Sequence, residues 1–240
     1  GVIGYLMHII LKDLDREKRL EIIGIAIIVF VFRAMPGSGA GASWWQIDVL
    51  GFDESFFGTL RQISSLLVIV GLLGLRGWMS RRPIPYLVVF LSVYSTVMLL
   101  PYIGMYYGLH EWTAARTGGI VDARFIALVD TALESPLGQI AMIPMLAWIA
   151  NSAPVKLKAT FFAVMASFTN LALSASTLGT KYVNQIYTVT REVTDRDTGA
   201  VTVPADYSEL GWLMITVAAL TFLLPLAAIG LVKLTRLRSA

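Results

Sequence analysis

The chain has 240 residues, of which 56% are hydrophobic and 15% charged, and a mean hydropathy of +0.70. A soluble domain carries about 25% charged residues, so a chain this poor in charge has lipid as the solvent for most of its surface. The net charge of +3 does not point to nucleic acid, because the basic residues fall in short clusters between apolar runs and build no continuous face.

The first residue is Gly1, and the apolar run up to Leu11 is too short to span a bilayer, which takes about 20 residues. It has neither a basic leader nor a small-residue cleavage site. It reads as the cut end of a preceding helix, with residues 1–19 a cytoplasmic lead-in and the chain itself a fragment. Six long apolar stretches follow, near Leu20–Met35, Ser55–Met79, Ile84–Leu109, Ile120–Ala150, Leu157–Tyr187 and Leu210–Leu234. Backbone polar groups in lipid must be paired within their own segment, so these are helices. The alternation of a membrane barrel is missing. The expected fold is therefore all-α and integral to the membrane: a bundle of six transmembrane helices over 20–234 and a tail over 235–240.

Between the first two stretches, Gly37-Ser-Gly-Ala-Gly41 reads as a flexible outer loop; it precedes no phosphate-loop lysine. Asp53 or Ser55 can cap the second helix, and Asp206 or Ser208 the sixth. Pro101, Pro136, Pro144 and Pro225 fall inside apolar runs, where membrane helices accept them as kinks. Trp44, Trp45, Tyr106, Tyr107 and Trp112 read as an aromatic belt at the outer interface. In the outer loop over 188–204, Val189–Val193 and Val201–Val203 flank Asp197-Thr-Gly199 as a short hairpin.

Lys12, Arg16, Lys18 and Arg19, then Arg76, Arg81 and Arg82, then Lys156 and Lys158, then Lys233, Arg236 and Arg238 all fall on one side if the span count is six. Asp48, Asp53, Glu54, Glu111, Glu192, Asp195, Asp197, Asp206 and Glu209 fall on the other. The excess of Lys and Arg marks the cytoplasmic side, so both termini are expected to be cytoplasmic.

Charges inside a bilayer are costly and face a bundle interior or a wet cavity. Arg33 lies in the first stretch, Arg61 in the second, Asp130, Glu134 and Gln139 in the fourth, and Asn170 in the fifth. At about 1.5 Å per residue, Arg33, Arg61 and Asp130 fall at one depth. Asp130 and Glu134 are four apart and share a helix face. The set reads either as a cavity with two cations and two carboxylates or as a structural ion-pair cluster joining helices. Ala159, Ala163, Ser167, Asn170 and Ser174 form a small, polar stripe suited to close helix packing, with Asn170 touching substrate as the sharper alternative. With no cysteine and only two distant histidines, His8 and His110, the chain has neither thiol chemistry nor a histidine cluster. No HExxH site, phosphate loop or nucleophile elbow is present, so no enzyme, metal site, cofactor or ATP-driven pump is expected.

The run Asp130-Thr-Ala-Leu-Glu-Ser-Pro-Leu-Gly-Gln139, then Met142-Ile-Pro144, then Lys158-Ala-Thr-Phe-Phe-Ala-Val-Met-Ala-Ser-Phe-Thr-Asn170 resembles the folate-biopterin transporter family. Ser176-Thr-Leu-Gly179 and the opening Arg33-Ala-Met-Pro36 also fit, whereas Asn151-Ser-Ala-Pro154 departs from a cysteine–proline pair common there. The resemblance implies the C-terminal six-helix half of a major facilitator superfamily fold. In such a half the first and fourth helices line the central cavity, the second and fifth flank it, and the third and sixth lie outside. The loop Arg76-Gly-Trp-Met-Ser-Arg-Arg82 loosely resembles that superfamily's cytoplasmic signature.

The function this implies is secondary active transport of a folate- or pterin-like solute, proton-coupled, by alternating access. Arg33 or Arg61 would pair an anionic tail, and Asp130 or Glu134 would accept from N–H donors or carry a proton. The implied partners are the lipid bilayer, the solute and a missing N-terminal six-helix half. The alternative is a membrane assembly or pigment-delivery facilitator without small-solute transport.

Overall fold

The computed structural model describes residues 5, 11, 12, 14–138, 145, 146, 148, 149, 153, 158–235 and 237. In chain order its elements are α1 (Arg16–Arg33), α2 (Ala40–Asp48), α3 (Glu54–Met79), α4 (Ile84–Tyr106), α5 (Leu109–Thr117), α6 (Ala123–Gly138), α7 (Lys158–Ile186), β1 (Val193–Thr194), β2 (Val201–Val203) and α8 (Leu210–Leu234). Among the described residues four helices are long and apolar enough to cross a membrane: α3 over Glu54–Leu75, α4, α7 and α8. In α1 the basic residues Arg16, Lys18 and Arg19, assigned from sequence to the lead-in, belong to the helix itself. The fourth stretch begins at Ala123 and is described only to Gly138. The third ends at Tyr106, where Gly108 turns the chain at φ +87° into the short α5.

Two helix starts share one device. The Phe56 N–H donates to the Asp53 carboxylate at 2.7 Å, and the Phe125 N–H to the Asp122 carboxylate at 2.8 Å. Each satisfies a backbone donor that the first helical turn leaves free. α8 starts differently from expectation. Asp206 accepts from the Ser208 N–H within a turn, and Glu209 occupies the cap position while accepting from the Thr188 N–H at 2.6 Å.

α3 and α6 run parallel and side by side. Arg124 meets Asp53 at 3.2 Å at one end, and the Ser135 hydroxyl donates to the Ser64 hydroxyl at 2.9 Å further along, so residues separated by 71 positions face each other. α8 packs on α4 and α1, α4 on α6, and α1 on α7. The largest apolar cluster, including Trp45, Phe52, Phe56, Met105, Leu210 and Leu213, lies at the end carrying Asp48 and Asp53. Toward the opposite, basic end, Met79, Leu87, Leu91 and Leu137 join α3, α4 and α6. There Ile28 and Val29 of α1 meet Val88 and Ile229. Between helices in lipid the gain comes from close contact, since tails are as apolar as leucine.

The main departure from the sequence reading is in the first apolar stretch. α1 stops at Arg33, where the Ala34 N–H closes on the Phe30 and Val31 carbonyls. Pro36 lacks a backbone donor and biases Met35 away from helix. A second helix, α2, then starts at Ala40, so the glycine run expected to be a flexible loop is a pinned break that opens a helix. α7 holds it. The Gly37 N–H donates to the Thr180 hydroxyl at 2.9 Å, and the Ser176 hydroxyl donates to the Met35 carbonyl. Gly39 sits at φ +72° against Asn184, and Gly179 leaves room for Pro36. Phe32 packs with Leu91 and Tyr94, near the middle of the 23-residue α4, whereas Trp45 stacks on Tyr106 at α4's end, with ring centroids 5.8 Å apart. The break therefore lies between mid-bundle and the acidic end.

The hairpin is shorter than expected. Val193 pairs with Val203 and Thr194 with Val201, and Asp195 accepts from the Asp197 and Thr198 N–H groups in the turn. It is fastened to α2, because Arg191 donates to both Asp48 carboxylate oxygens, at 2.8 and 3.0 Å, and the Tyr207 hydroxyl donates to the same group. The Arg191 bonds, then Tyr207, hold the Asp48 carboxyl below its ordinary range. Tyr207 is pushed up to about 12, first by burial and then by Asp48.

Candidate functional site

Asp130 is the centre of the charged layer. It lies on α6, is 3% exposed, and its Oδ1 has no hydrogen-bond partner among the described residues. Removing one oxygen of a carboxylate from both water and donors is expensive. Glu134, one turn further on, is exposed. Tyr94 and Tyr102 of α4 lie within electrostatic range of both carboxylates. The Tyr94 hydroxyl donates to the Leu133 carbonyl instead of to either carboxylate.

The 71-residue register sets Arg61 level with Ala132, between Asp130 and Glu134 in height. Arg61 is exposed. Arg33 is half-buried at the end of α1, and its Nε has no partner among the described residues. Its neighbour Phe32 shares a cluster with Tyr94 and Leu137, toward the basic end from Asp130. Asn170 is exposed on α7, two residues beyond Phe168, whose ring lies 5.1 Å from that of Phe30. Gln139 lies outside the described residues.

Arg61, Asp130 and Glu134 share a height but no contact. No ion pair among the described residues joins Arg33, Arg61, Asp130 or Glu134; Arg124–Asp53 and Arg191–Asp48 are both at the acidic end. The reading of a structural ion-pair cluster therefore fails for these four residues. The small stripe on α7 also behaves otherwise than close packing requires. Ala159, Ala163, Ser167, Asn170 and Ser174 are all exposed, while Phe161, Val164, Met165 and Ala172 form the buried face.

Sequence reading missed the polar row Ser176, Thr180 and Asn184, which stabilises the break. Its signal was the spacing of four, one side of a helix, next to a glycine run that needs partners. Two of the quoted motifs prove to be one contact: Arg33-Ala-Met-Pro36 and Ser176-Thr-Leu-Gly179 meet through the Ser176–Met35 bond and the Pro36–Gly179 approach. Among the described residues no group of three His, Cys, Asp or Glu could hold a metal ion.

Long apolar helices with one buried carboxylate between them define a multi-pass membrane protein. The chain belongs to the BT1 family, whose sequence profile matches residues 12–239. A "Folate-biopterin transporter" from Synechocystis sp. is 25% identical over 146 residues, 61% of this chain and 28% of that protein's own length. The alignment thus spans less than a third of the relative. No solved structure matches the chain.

Proposed function

We propose that the chain is one six-helix half of a secondary active transporter for folate- or pterin-like solutes, coupled to protons and working by alternating access. The observation that carries this is the Asp130 carboxylate, 3% exposed and with Oδ1 unpartnered in an apolar bundle. An ionisable group at such depth is retained for work on a solute or a proton, since as a structural element it would need a partner. Arg33 adds a cationic group whose Nε has no partner among the described residues, and the helix beside it breaks off within the bundle, a feature of the kind transporters use at their solute sites.

The pairing of α3 with α6 and of α1 with α7, with α4 and α8 against them, supports the facilitator-type half. In this arrangement Arg33 and Arg61 face the anionic end of the solute, Asp130 and Glu134 take N–H donors or the proton, and Asn170 contributes from α7. Gln139 completes the set. The cytoplasmic placement of both termini belongs to the same proposal.

The test is uptake of labelled folate and of labelled pterin, with and without a proton gradient, in cells expressing this chain within a protein that supplies the other half. Gradient-driven accumulation of either compound is the expected result. The paired change Asp130→Asn with Glu134→Gln is expected to abolish the gradient dependence. Uptake and pH profile left intact by that pair would remove the carboxylates from the mechanism. No accumulation by protein shown to be in the membrane would remove the substrate class.

A further inference from the structure

Between α3 and α4 the chain turns at the surface of the bilayer. The apolar span of α3 ends at Leu75 and that of α4 begins at Ile84, so Trp78, Arg81 and Arg82 stand at the depth of the lipid headgroups. Both arginines are exposed. The guanidinium carbon of Arg82 lies 5.9 Å from the centre of the Trp78 ring and 5.5 Å from that of the Tyr86 ring. Residues 55–110 contain no Asp or Glu, and neither arginine has an ion pair among the described residues. One of two uncompensated cations is thus held on a pair of aromatic faces.

A guanidinium stacked on its face keeps its N–H edge free, and that edge matches two oxygens of a phosphate. Rings that steady the side chain also reduce the rotamer freedom that binding removes. Deeper in the bilayer, Tyr86, Phe90, Val93 and Val97 follow at spacings of four, three and four, one face of α4. Tyr86, Val93 and Val97 are exposed at 46%, 41% and 46%, and the Phe90 ring lies 5.3 Å from that of Trp78. From Tyr86 to Val97, at about 1.5 Å per residue, this face is about 16 Å long. That is close to half of the roughly 30 Å hydrocarbon core, the depth of one leaflet. The matching ligand has an anionic phosphate at one end and a hydrocarbon chain one leaflet long.

We propose that Arg82, steadied by Trp78 and Tyr86 and assisted by Arg81, binds the phosphate of an anionic phospholipid whose acyl chain lies along the Tyr86–Val97 face of α4. A zwitterionic lipid brings its own cation to the phosphate, so the two arginines select the anionic one. Trp78 belongs to α3 and Tyr86 to the first turn of α4, so the bound lipid ties these helices together at the membrane surface. The site is separate from the layer around Asp130 and stands whatever the protein transports.

The experiment is photo-crosslinking of phosphatidylglycerol carrying a diazirine in one acyl chain to the purified full-length protein in phosphatidylcholine nanodiscs. The probe is kept well below saturation and the labelled residues are read by peptide mass spectrometry. Label is expected over 84–97, displaced by unlabelled phosphatidylglycerol but not by added phosphatidylcholine or inorganic phosphate. Arg82→Gln is expected to lower that label about fivefold, the worth of one cation near an anionic surface. Tyr86→Leu, which keeps an apolar side chain, is expected to lower it about two- to fivefold by removing one cation–π contact. Arg82→Lys keeps the charge but loses the bidentate fork, and is expected to fall between wild type and Arg82→Gln. No label over 84–97 in folded wild type, or equal displacement by phosphatidylcholine, would overturn the proposal. So would displacement by inorganic phosphate, which makes the site one for free anions, or wild-type labelling of Arg82→Lys, which reduces it to surface charge. Transport enters none of these readings, so failure of the uptake experiment and failure of this one remain separate.

Discussion

Gly39 is where the break in the first apolar stretch can be tested most sharply. It combines φ +72° with ψ −166°. That region is essentially closed to residues with a side chain, and holding one there costs about 1–3 kcal/mol. A Cβ added at Gly39 would also stand 2.9 Å from Asn184 Nδ2 and 3.0 Å from its Oδ1. The amide is not free to swing away, because Nδ2 donates to the Thr180 carbonyl at 2.8 Å. Displacing it forfeits a bond of about 0.5–1.5 kcal/mol. Gly39→Ala should therefore destabilise the protein by about 1.5–4.5 kcal/mol, the sum of the backbone and amide costs. The assay is unfolding in mixed micelles by denaturing detergent, followed by helical circular dichroism, with Asn184→Ala as the second arm of a cycle. In the Asn184→Ala background the amide cost disappears and the backbone cost of about 1–3 kcal/mol stays. A neutral Gly39→Ala would refute the break. A penalty that vanished in the Asn184→Ala background would refute the backbone part.

Three further outcomes follow from contacts already described. In Gly211→Ala the new methyl would stand 2.5 Å from the Tyr106 ring and 2.7 Å from the Tyr107 hydroxyl; overpacking of this kind costs about 1–3 kcal/mol, read by the same micelle titration. Ser135→Ala removes the bond to Ser64 and should cost only about 0.6 kcal/mol, the average for hydrogen bonds between membrane helices. The Asp48 carboxyl is depressed in the folded state below its ordinary 3.8, chiefly by Arg191. Its tie to the hairpin is thus fully present above that value and is lost as pH falls through the lower folded value. Hydrogen exchange of the amides over 189–206, corrected for intrinsic rate, should accelerate at pH 2 relative to pH 7. Asp48→Asn should reproduce the loss at pH 7.

Much of the fold was legible because the membrane simplifies the sequence. The sixth stretch, Leu210–Leu234, agrees with α8 at both ends, and α3 and α7 agree to within a residue or so at each. Long apolar runs with charged ends admit little choice of boundary. The segment after the first stretch was misread because hydropathy cannot distinguish an apolar loop from a short apolar helix. The outcome at Gly37–Gly41 depends on partners 140 or more positions away on α7. The common height of Arg61 and Asp130 followed from counting residues. Whether they touch did not, since that depends on how each helix is rotated, and the helices turn the four charged groups away from ion-pair contact.

The parallel register of α3 and α6 bears on how the molecule moves. Arg124–Asp53 and Ser135–Ser64 span 11 positions on each helix, and both obey one offset. Sliding either helix by a single turn would break both contacts together and drag Asp53 and Asp122, which cap the two helices, out of step. The pair is thus held in one register at two points along its length. The joint at 34–39 is held otherwise: two hydroxyls and a glycine, in place of a continuous helical ladder, join one helix to the next.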